Sequence, residues 1–294
     1  MNPSDKTVLI TGSAGLLGSK LASLYKKNGY FVGAIYRTTE PKNYDIKYKI
    51  DLSKNDELLA IKQHFQIIIN CAGFTDVNEN ERFPEKSWIE NVVASNNVSE
   101  FARKYKAKFV HISTDHYSSN ENLNRNETTS VYPVNQYGYA KLEAEKIILR
   151  KNKDALIIRS NFFGKNSIKG NSLLEWILNK IESNEPIFGF EDVFFNPVSI
   201  DYLFNAINKL LENSAKGIYN IGSKDAISKY NFIKLVYDNL GTTQTKLIKS
   251  NSIENASFVK RPKFMALNCS KFEEATHSKV PDLSELLRAE LMIN

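Results

Sequence analysis

The sequence has few residues of the types that bind metals or form disulfides. Its 294 residues include 2 cysteines, Cys71 and Cys269, and 4 histidines, and none shows the close spacing of a zinc or iron–sulfur site. The chain also has no apolar run as long as a membrane span and no leader of charged and then apolar residues at its start. We therefore expect a cytoplasmic protein with reduced thiols, no bound metal and no membrane partner.

Long blocks of like charge are absent as well. The formal net charge is +6, but acidic residues are interspersed among the basic ones, without a run of five or six of one sign. No motif that interleaves aromatic and basic residues accompanies the charge, so we expect no nucleic-acid partner. A positive site that faces a phosphate-rich cofactor and substrate accounts for the sign equally well.

A glycine-rich turn lies near the start of the chain, in residues 6–18 (KTVLITGSAGLLG). A short apolar run leads into Gly12, Gly15 and Gly18, and an amphipathic segment follows at residues 21–28. Strand, glycine turn and helix together indicate a dinucleotide site, because the helix N-terminus offers free N–H groups to a pyrophosphate. The alternative is a glycine-rich turn without a ligand.

The second predicted strand ends in Tyr36-Arg37-Thr38-Thr39. In a Rossmann unit an acidic residue here binds the ribose 2′-hydroxyl of NAD, whereas an arginine accommodates the 2′-phosphate of NADP. A guanidinium is present and a carboxylate is not, so NADPH is the favoured cofactor and NADH the alternative. Arg37 as an ordinary surface residue is the competing interpretation.

Polar residues follow several later strands. They are Asp51-Leu52, Asn70-Cys71-Ala72-Gly73 and Ser113-Thr114-Asp115. Ligands of parallel sheets bind outside the carboxyl ends of the strands, which favours a functional role. Capping and turn formation explain the same residue types, and the sequence alone leaves both readings open.

A predicted helix from about Asn135 carries Tyr137 and Lys141, four residues apart and therefore on one face. The sequence also predicts a helix at residues 56–65, a loop at 74–83, a helix at 84–105 and a polar surface loop or flap at 118–130. Strands alternate with helices as far as Gly164, which predicts an α/β fold with a doubly wound parallel Rossmann sheet. Residues 1–164 then form the NAD(P)-binding domain. Residues 165–294 form a smaller α/β substrate lobe, with a return strand near 217–221 that joins the Rossmann sheet.

In this order, the motifs resemble the extended short-chain dehydrogenase/reductase superfamily. A narrower resemblance is to dTDP-4-dehydrorhamnose reductases, whose N-A-A-x-T-x-V-x-x-x-E and N-x-Y-G-x-x-K-x-x-x-E segments are similar to residues 70–81 and 135–145. Residues 217–222 and 261–267 are similar to that group's G-x-Y-x-x-x-G and R-P-x-x-x-x-L signatures. One departure is the HYSSN run at 116–120, where the group has Y-V-F-D-G.

The resemblance implies reduction of the C4 ketone of a nucleotide-activated 4-keto-6-deoxy sugar, in surface polysaccharide biosynthesis. Tyr137 is implied as the general acid, Lys141 as the cation that lowers its pKa, and Thr114 as a hydrogen-bond donor to the carbonyl oxygen. Asp115 is implied to orient the substrate or Tyr137. The nucleotide sugar is the expected partner, and a homodimer is left open.

The implied binding residues form two sets. The cofactor set is Gly12, Ser13, Ala14, Gly15, Leu16, Leu17, Gly18, Tyr36, Arg37, Asp51, Leu52, Cys71, Ala72, Gly73, Thr75, Asn91, Ser113, Tyr137 and Lys141. The substrate set is Thr75, Asp76, Asp115, Phe162, Asn196 and Arg261.

Three alternatives accompany this interpretation. A 4,6-dehydratase is disfavoured, because such enzymes carry an Asp-Glu pair after the threonine and this chain has Asp115-His116. A non-catalytic cofactor-binding subunit, like the regulatory subunit of methionine adenosyltransferase, need not retain the catalytic set. An epimerase would use the same residues with a tightly held NAD.

Overall fold

The computed structural model describes residues 6–119, 125–165, 172–242, 246–252 and 259–292. Its contacts divide the chain into two compact units that interleave along the sequence. Unit 1 is Met1–Thr114, Asn135–Arg159 and Asn208–Tyr219, and unit 2 is Asp115–Val134, Ser160–Ile207 and Asn220–Asn294. The functional division of the chain at residue 164 stays a prediction.

The secondary structure is as follows. The strands are β1 (Thr7–Thr11), β2 (Phe31–Tyr36), β3 (Ile46–Lys49), β4 (Ile67–Asn70), β5 (Lys108–Ile112), β6 (Ser118–Ser119), β7 (Val131–Tyr132), β8 (Leu156–Ser160), β9 (Phe162–Phe163), β10 (Ile187–Phe190), β11 (Phe194–Phe195), β12 (Val198–Ser199), β13 (Gly217–Ile221), β14 (Ile227–Ser228) and β15 (Leu247–Ser250). The helices are α1 (Leu16–Lys27), α2 (Asn55–Leu59), α3 (Val77–Arg82), α4 (Pro84–Trp88), α5 (Ala94–Lys104), α6 (Gln136–Lys151), α7 (Leu173–Glu182), α8 (Ile200–Glu212), α9 (Lys229–Leu240), α10 (Ser270–Thr276) and α11 (Leu283–Met292). A π-helical turn, Ile89–Val93, joins α4 to α5.

The central sheet has seven strands in the order β13-β8-β5-β4-β1-β2-β3. Pairings run parallel from β3 through β2, β1, β4 and β5 to β8. The chain leaves β1 toward β2 and β3, then returns to its other side at β4, so the order reverses beside β1. This is the switch point at which doubly wound sheets bind ligands, and the predicted fold class is confirmed.

The core of unit 1 lies where helices cover the sheet. Buried apolar residues come from β1, β4, β5 and β8 and from α5 and α6, among them Leu9, Ile68, Phe109, Ile157 and Phe101. Consecutive apolar residues occur in each of these strands, at 8–10, 67–69, 109–110 and 156–158, as expected for strands covered on both faces. Because the core holds these strands in place, it also fixes the positions of the polar residues at and after their ends.

Unit 2 is built from short two-stranded pairings and helices. β9 pairs with β12 and β10 with β15 in parallel, whereas β11 pairs with β14 and β6 with β7 in antiparallel fashion. Ser172 and Glu175 form a reciprocal capping box at the start of α7. Among the described residues, no helix combines the length and apolar character needed to cross a membrane.

Several local predictions are wrong. The helix expected at residues 56–65 ends at Leu59, because Ile61 and Phe65 reach the core from non-helical backbone. The loop expected at 74–83 contains α3, whose first N–H groups are capped by the Asp76 carboxylate. In the surface loop or flap expected at 118–130, Asn126, Thr128 and Ser130 are exposed, but Arg125 is only 1% exposed; residues 120–124 lie outside the described residues.

Candidate active site

The glycine turn after β1 has the shape of a phosphate cradle. Gly12 has φ +61°, and a Cβ there would lie 2.7 Å from the Cys71 oxygen and 2.8 Å from the Ala72 nitrogen. A Cβ on Gly18 would lie 2.5 Å from the Gly12 oxygen. Gly15 is the N-cap of α1 and has no capping side chain, so the first N–H groups of a 12-residue helix are open to an anion. These residues fit a dinucleotide.

Side chains outside the turn hold it in place. Ser13 is fully buried, and its hydroxyl donates to the Ile35 carbonyl at 2.9 Å. The Tyr44 hydroxyl lies 2.9 Å from the Ser13 carbonyl and 3.1 Å from the Gly18 carbonyl, and burial raises the Tyr44 pKa. Sequence reasoning missed Tyr44, because nothing in its neighbourhood links it to a turn 26 residues away.

Arg37 follows β2 and pairs with a carboxylate that was not predicted. Its Nη1 lies 2.8 Å from Oε1 of Glu90 in the π turn, and this contact raises the Arg37 pKa.

The two predicted cofactor residues after β3 make local contacts. Asp51 accepts hydrogen bonds from the Ser53 amide and hydroxyl at 3.0 and 2.8 Å, which lower its pKa. Leu52 is held through its carbonyl by Asn97.

The loop after β4 is fastened to the π turn by Asn91. The Asn91 side chain accepts from the Phe74 amide at 2.9 Å and donates to the Phe74 carbonyl at 3.1 Å. A Cβ on Gly73 would lie 3.0 Å from the Asn91 Oδ1, so glycine permits the close approach. Thr75 is exposed, and the Asp76 carboxylate is engaged by the start of α3.

Helix α6 brings Tyr137 and Lys141 onto consecutive turns. The Asn135 side chain accepts from the Gly138 amide at 2.9 Å and caps the helix immediately before Tyr137. Tyr137 is half-buried, and Thr114, which follows β5, is 6% exposed. The Ser113 hydroxyl donates to Glu145 of the same helix at 2.5 Å.

Lys141 is buried at the end of β5. Its ammonium donates to the Ile112 carbonyl at 2.7 Å and lies 3.4 Å from Nε2 of His111. Burial lowers the Lys141 pKa to about 8, and the nearby Glu145 carboxylate opposes that shift. The Glu145 carboxylate therefore favours the charged form of Lys141 against the effect of burial.

A buried polar chain continues from Lys141 into the sheet. His111 is fully buried, and its Nδ1 lies 3.0 Å from Nδ2 of Asn70. Asn70 accepts from the Thr11 hydroxyl at 2.5 Å, and Thr11 accepts from the Ala72 amide at 3.1 Å. Burial and then Lys141 lower the His111 pKa well below its usual value. One feature of the sequence marks His111: it is a histidine within the apolar run at 109–112, two residues before the Ser113-Thr114 pair.

In unit 2, Asp115 lies among cations. It is 2% exposed and accepts from Asn161 at 3.0 Å. Burial raises its pKa, whereas the positive charges of Lys229 and Arg125 oppose the rise. Lys229 begins α9 with its ammonium 3.3 Å from the centroid of the Phe195 ring. Sequence reasoning missed Lys229 and Arg125, because only folding gathers their distant segments.

The same cations act on His116. Burial, followed by the charges of Arg261, Lys229 and Arg125, lowers the His116 pKa to about 4. His116 is thus neutral at physiological pH. Arg261 is exposed and lies close enough to Lys229 to lower the lysine pKa as well.

Two other predicted substrate residues take different environments. Phe162 is half-buried in β9. Asn196 is 4% exposed; it donates to the Ser223 and Leu267 carbonyls at 2.9 Å and accepts from the Leu267 amide at 2.9 Å. Asn196 therefore holds three segments of unit 2 together. Within the described ranges, no three His, Cys, Asp or Glu side chains are grouped for metal binding.

The reversed sheet order, the glycine cradle and the tyrosine–lysine pair on α6 define an extended short-chain dehydrogenase/reductase. The family model of the RmlD substrate binding domain matches residues 6–292, and the chain belongs to that family. The resemblance predicted from the sequence is confirmed.

Relatives with several names match nearly the whole chain. The probable low-salt glycan biosynthesis reductase Agl14 of Haloferax volcanii is 24% identical, over 95% of each chain. The dTDP-4-dehydrorhamnose reductase of Aggregatibacter actinomycetemcomitans is 25% identical, over 96% of this chain and 97% of the relative. The methionine adenosyltransferase 2 subunit beta of Bos taurus is 25% identical, over 93% of this chain and 83% of the relative.

A solved structure shares the fold. The crystal structure of dTDP-4-dehydrorhamnose reductase from Bacillus anthracis in complex with NADP has a TM-score of 0.85 at 22% identity, and the match covers 98% of this chain and 99% of that one. At this identity the likeness establishes the fold.

Proposed function

We propose that the protein is an oxidoreductase that uses NADPH to reduce the C4 ketone of a nucleotide-activated 4-keto-6-deoxy sugar, for surface polysaccharide biosynthesis. The observation that carries the proposal is Tyr137 and the buried Lys141 on consecutive turns of α6, in a chain whose glycine turn fits a dinucleotide. Relatives named as a glycan biosynthesis reductase and a dTDP-4-dehydrorhamnose reductase support the substrate class.

The cofactor would be held by unit 1. The open N–H groups of α1 and the glycine turn would bind its pyrophosphate, and Arg37 would bind the 2′-phosphate of NADPH. When bound, the cofactor supplies a hydride. Lys141 would hold the hydroxyls of the nicotinamide ribose, as the family resemblance implies.

The proton would come from Tyr137. A tyrosine in water has a pKa near 10, too high for efficient acid–base work at neutral pH. The ammonium of Lys141, one turn away, would stabilise the phenolate and lower that pKa. The Thr114 hydroxyl would donate a hydrogen bond to the carbonyl oxygen as negative charge develops on it.

The substrate diphosphate would be bound by cations of unit 2. Arg261 is exposed and electrostatically coupled to Lys229 and His116, and a guanidinium suits phosphate oxygens geometrically. Asp115 would orient the sugar or Tyr137. The roles of Thr75, Asp76, Phe162 and Asn196 in substrate binding remain predictions.

A non-catalytic regulatory subunit is the second candidate, favoured by the similarity to methionine adenosyltransferase 2 subunit beta. Retention of Thr114, Tyr137 and Lys141 together argues for the enzyme. Any turnover of a keto sugar would eliminate the regulatory alternative. An epimerase would purify with oxidised NAD bound and would not consume NADPH.

The test is to mix the protein with NADPH and a dTDP-4-keto-6-deoxy sugar and follow the absorbance of the reduced nicotinamide. We expect turnover, and we expect Tyr137→Phe to lower kcat by about 10²–10⁴-fold, the usual worth of a general acid, without weakening NADPH binding. Tyr139→Phe is the matched control, because Tyr139 is on the same helix and 43% exposed. Full activity of Tyr137→Phe would refute the role assigned to the phenol.

A further inference from the structure

The guanidinium expected to receive a 2′-phosphate is already engaged by a carboxylate. Arg37 Nη1 and Glu90 Oε1 are 2.8 Å apart, with the Arg37 side chain 52% exposed and the Glu90 side chain 17% exposed. Lys86 Nζ lies 4.0 Å from the same Glu90 oxygen. A ligand that approaches Arg37 therefore meets a pair of opposite charges, not a lone cation.

Glu90 is in a fixed position. It lies in the π turn, and the next residue, Asn91, is 1% exposed and bonded to both backbone groups of Phe74. Asn91 also donates to the Asn80 side chain at 3.0 Å, and Asn80 in turn accepts from the Ser87 hydroxyl at 2.5 Å. The carboxylate of Glu90 is thus carried by a segment tied down on both sides.

The pair replaces the acidic residue that NAD-binding Rossmann units carry at the end of β2. That position holds Tyr36-Arg37, and Glu90 brings a carboxylate to the arginine from 53 residues later in the chain. A ribose 2′-hydroxyl can donate to such a carboxylate. A 2′-phosphate, which carries nearly two negative charges near neutral pH, is repelled by it.

Arg37 can still bind a phosphate, because a guanidinium has five N–H donors and the contact with Glu90 is made by Nη1. The negative charge of Glu90, however, cancels much of the electrostatic attraction between Arg37 and a phosphate. Resting on the cofactor site of the proposed function, we propose that Glu90 is a specificity-determining residue. It lowers the preference for NADPH over NADH by competing with the 2′-phosphate for Arg37 and by accepting a hydrogen bond from the 2′-hydroxyl of NADH.

The experiment measures dissociation constants of NADPH and NADH for the whole protein by nicotinamide fluorescence, without sugar substrate. We expect Glu90→Gln, which keeps the shape and removes the charge, to tighten NADPH binding by about tenfold, the effect of one nearby like charge. NADH binding should weaken, because its 2′-hydroxyl would then donate to a neutral amide oxygen instead of a carboxylate. The gain should shrink in high salt, because the groups are partly exposed.

Glu100→Gln is the matched control. Glu100 is a partly exposed acid in α5 that pairs with Lys151 at 2.8 Å, so the substitution removes the same charge away from Arg37. Its ratio of NADPH to NADH affinity should equal that of the unmodified protein.

A second variant tests the pair from its exposed side. Arg37→Gln should weaken NADPH at least tenfold and NADH by less than twofold, because Glu90 then faces the 2′-position alone. If NADPH binds the unmodified protein and Glu90→Gln keeps its affinity ratio, Glu90 has no such role while the proposed function stands, whatever Arg37→Gln does. If neither dinucleotide binds the unmodified protein, the proposed function fails and this inference fails with it.

Discussion

The two compact units differ in how a buried carboxylate is paired with positive charge. In unit 1 the Glu145 carboxylate, 1% exposed, faces the Arg159 guanidinium, 5% exposed. Arg159 Nε lies 3.0 and 3.2 Å from the two carboxylate oxygens, and its Nη2 lies 2.6 Å from one of them. In unit 2, by contrast, the carboxylate of Asp115 faces the positive charges of both Lys229 and Arg125.

If the proposed function holds, the difference separates scaffold from binding surface. The Glu145–Arg159 pair is neutral, and its hydrogen bonds fasten α6 to β8. A group of cations around one carboxylate and a neutral histidine retains positive charge, which suits an anionic substrate. Under the proposed function, unit 1 would bind the cofactor pyrophosphate through main-chain N–H groups at α1 and the 2′-phosphate through Arg37.

The largest expected effect comes from breaking the neutral pair. Glu145→Gln would leave the Arg159 charge buried without its counter-ion and would also remove the carboxylate near Lys141, so we expect a loss of about 3–5 kcal/mol in the free energy of unfolding. Urea denaturation measures it. Glu143→Gln is the control, since Glu143 forms a surface pair with Lys146 and should cost less than about 1 kcal/mol. Equal losses would show that Glu145 and Arg159 are no better coupled than surface charges.

The next effect tests the main-chain cradle. Gly12→Ala places a methyl group against the backbone of Cys71 and Ala72, so we expect dinucleotide binding to fall by about 100-fold or more, since backbone cannot yield to the added carbon. Fluorescence titration with NADPH measures the loss.

Gly29→Ala is its control. Gly29 also has positive φ, at +77°, but open space around it, so alanine there should cost about 1 kcal/mol of stability and leave binding intact. Unchanged NADPH affinity in Gly12→Ala would mean that the turn has room to move.

A smaller effect concerns His116, whose pKa is lowered by burial and by the cations of unit 2. The folded pKa of His116 is about 4, below the ordinary value near 6.5, so only the unfolded chain binds its proton between these values. Stability should be fully present above pH 6.5 and fall by about 2 kcal/mol by pH 4.5. Buried His111 also contributes to the loss of stability at low pH, because its pKa is lowered too. The His116→Gln variant removes only the contribution of His116 and therefore isolates it. Identical pH profiles of unfolding in the two proteins would contradict this environment for His116.

The smallest expected effect concerns Lys141, the unit 1 cation whose charge the reaction would use. Its pKa is lowered to about 8, so the ammonium is lost as pH rises through that value. We expect kcat/KM for ketone reduction to decline about tenfold per pH unit above it. A rate profile in NADPH-dependent turnover measures this, and a constant rate to pH 10 would argue against a role for the ammonium.

Features coded by local chemistry could be predicted from the sequence. The glycine turn, the strand ends and the bounds of α9, with its Ser228 N-cap and Gly241 in the left-handed region, follow from patterns of a few residues. α3 was missed although Asp76 and Glu79 carry a capping signal, because an Asn-rich stretch also suits a loop.

The charge environment of the site could not be predicted in this way. Arg125 lies in a polar stretch typical of a surface, yet it is buried and donates to the carbonyls of Asp115 and Tyr117. The Glu90 partner of Arg37 is 53 residues away and has no pattern to mark it. Such pairings depend on how distant segments pack, and periodicity carries no information about that.

The π turn also changes how residues 84–104 should be viewed on a helical wheel. Five residues, Ile89–Val93, occupy this turn, and the extra one rotates α4 relative to α5 by about 100°, the angle of one residue. A single wheel through the whole segment would therefore assign one half to the wrong face. Deleting one residue here would restore an ordinary helix and turn Glu90 or Asn91 away from its partner.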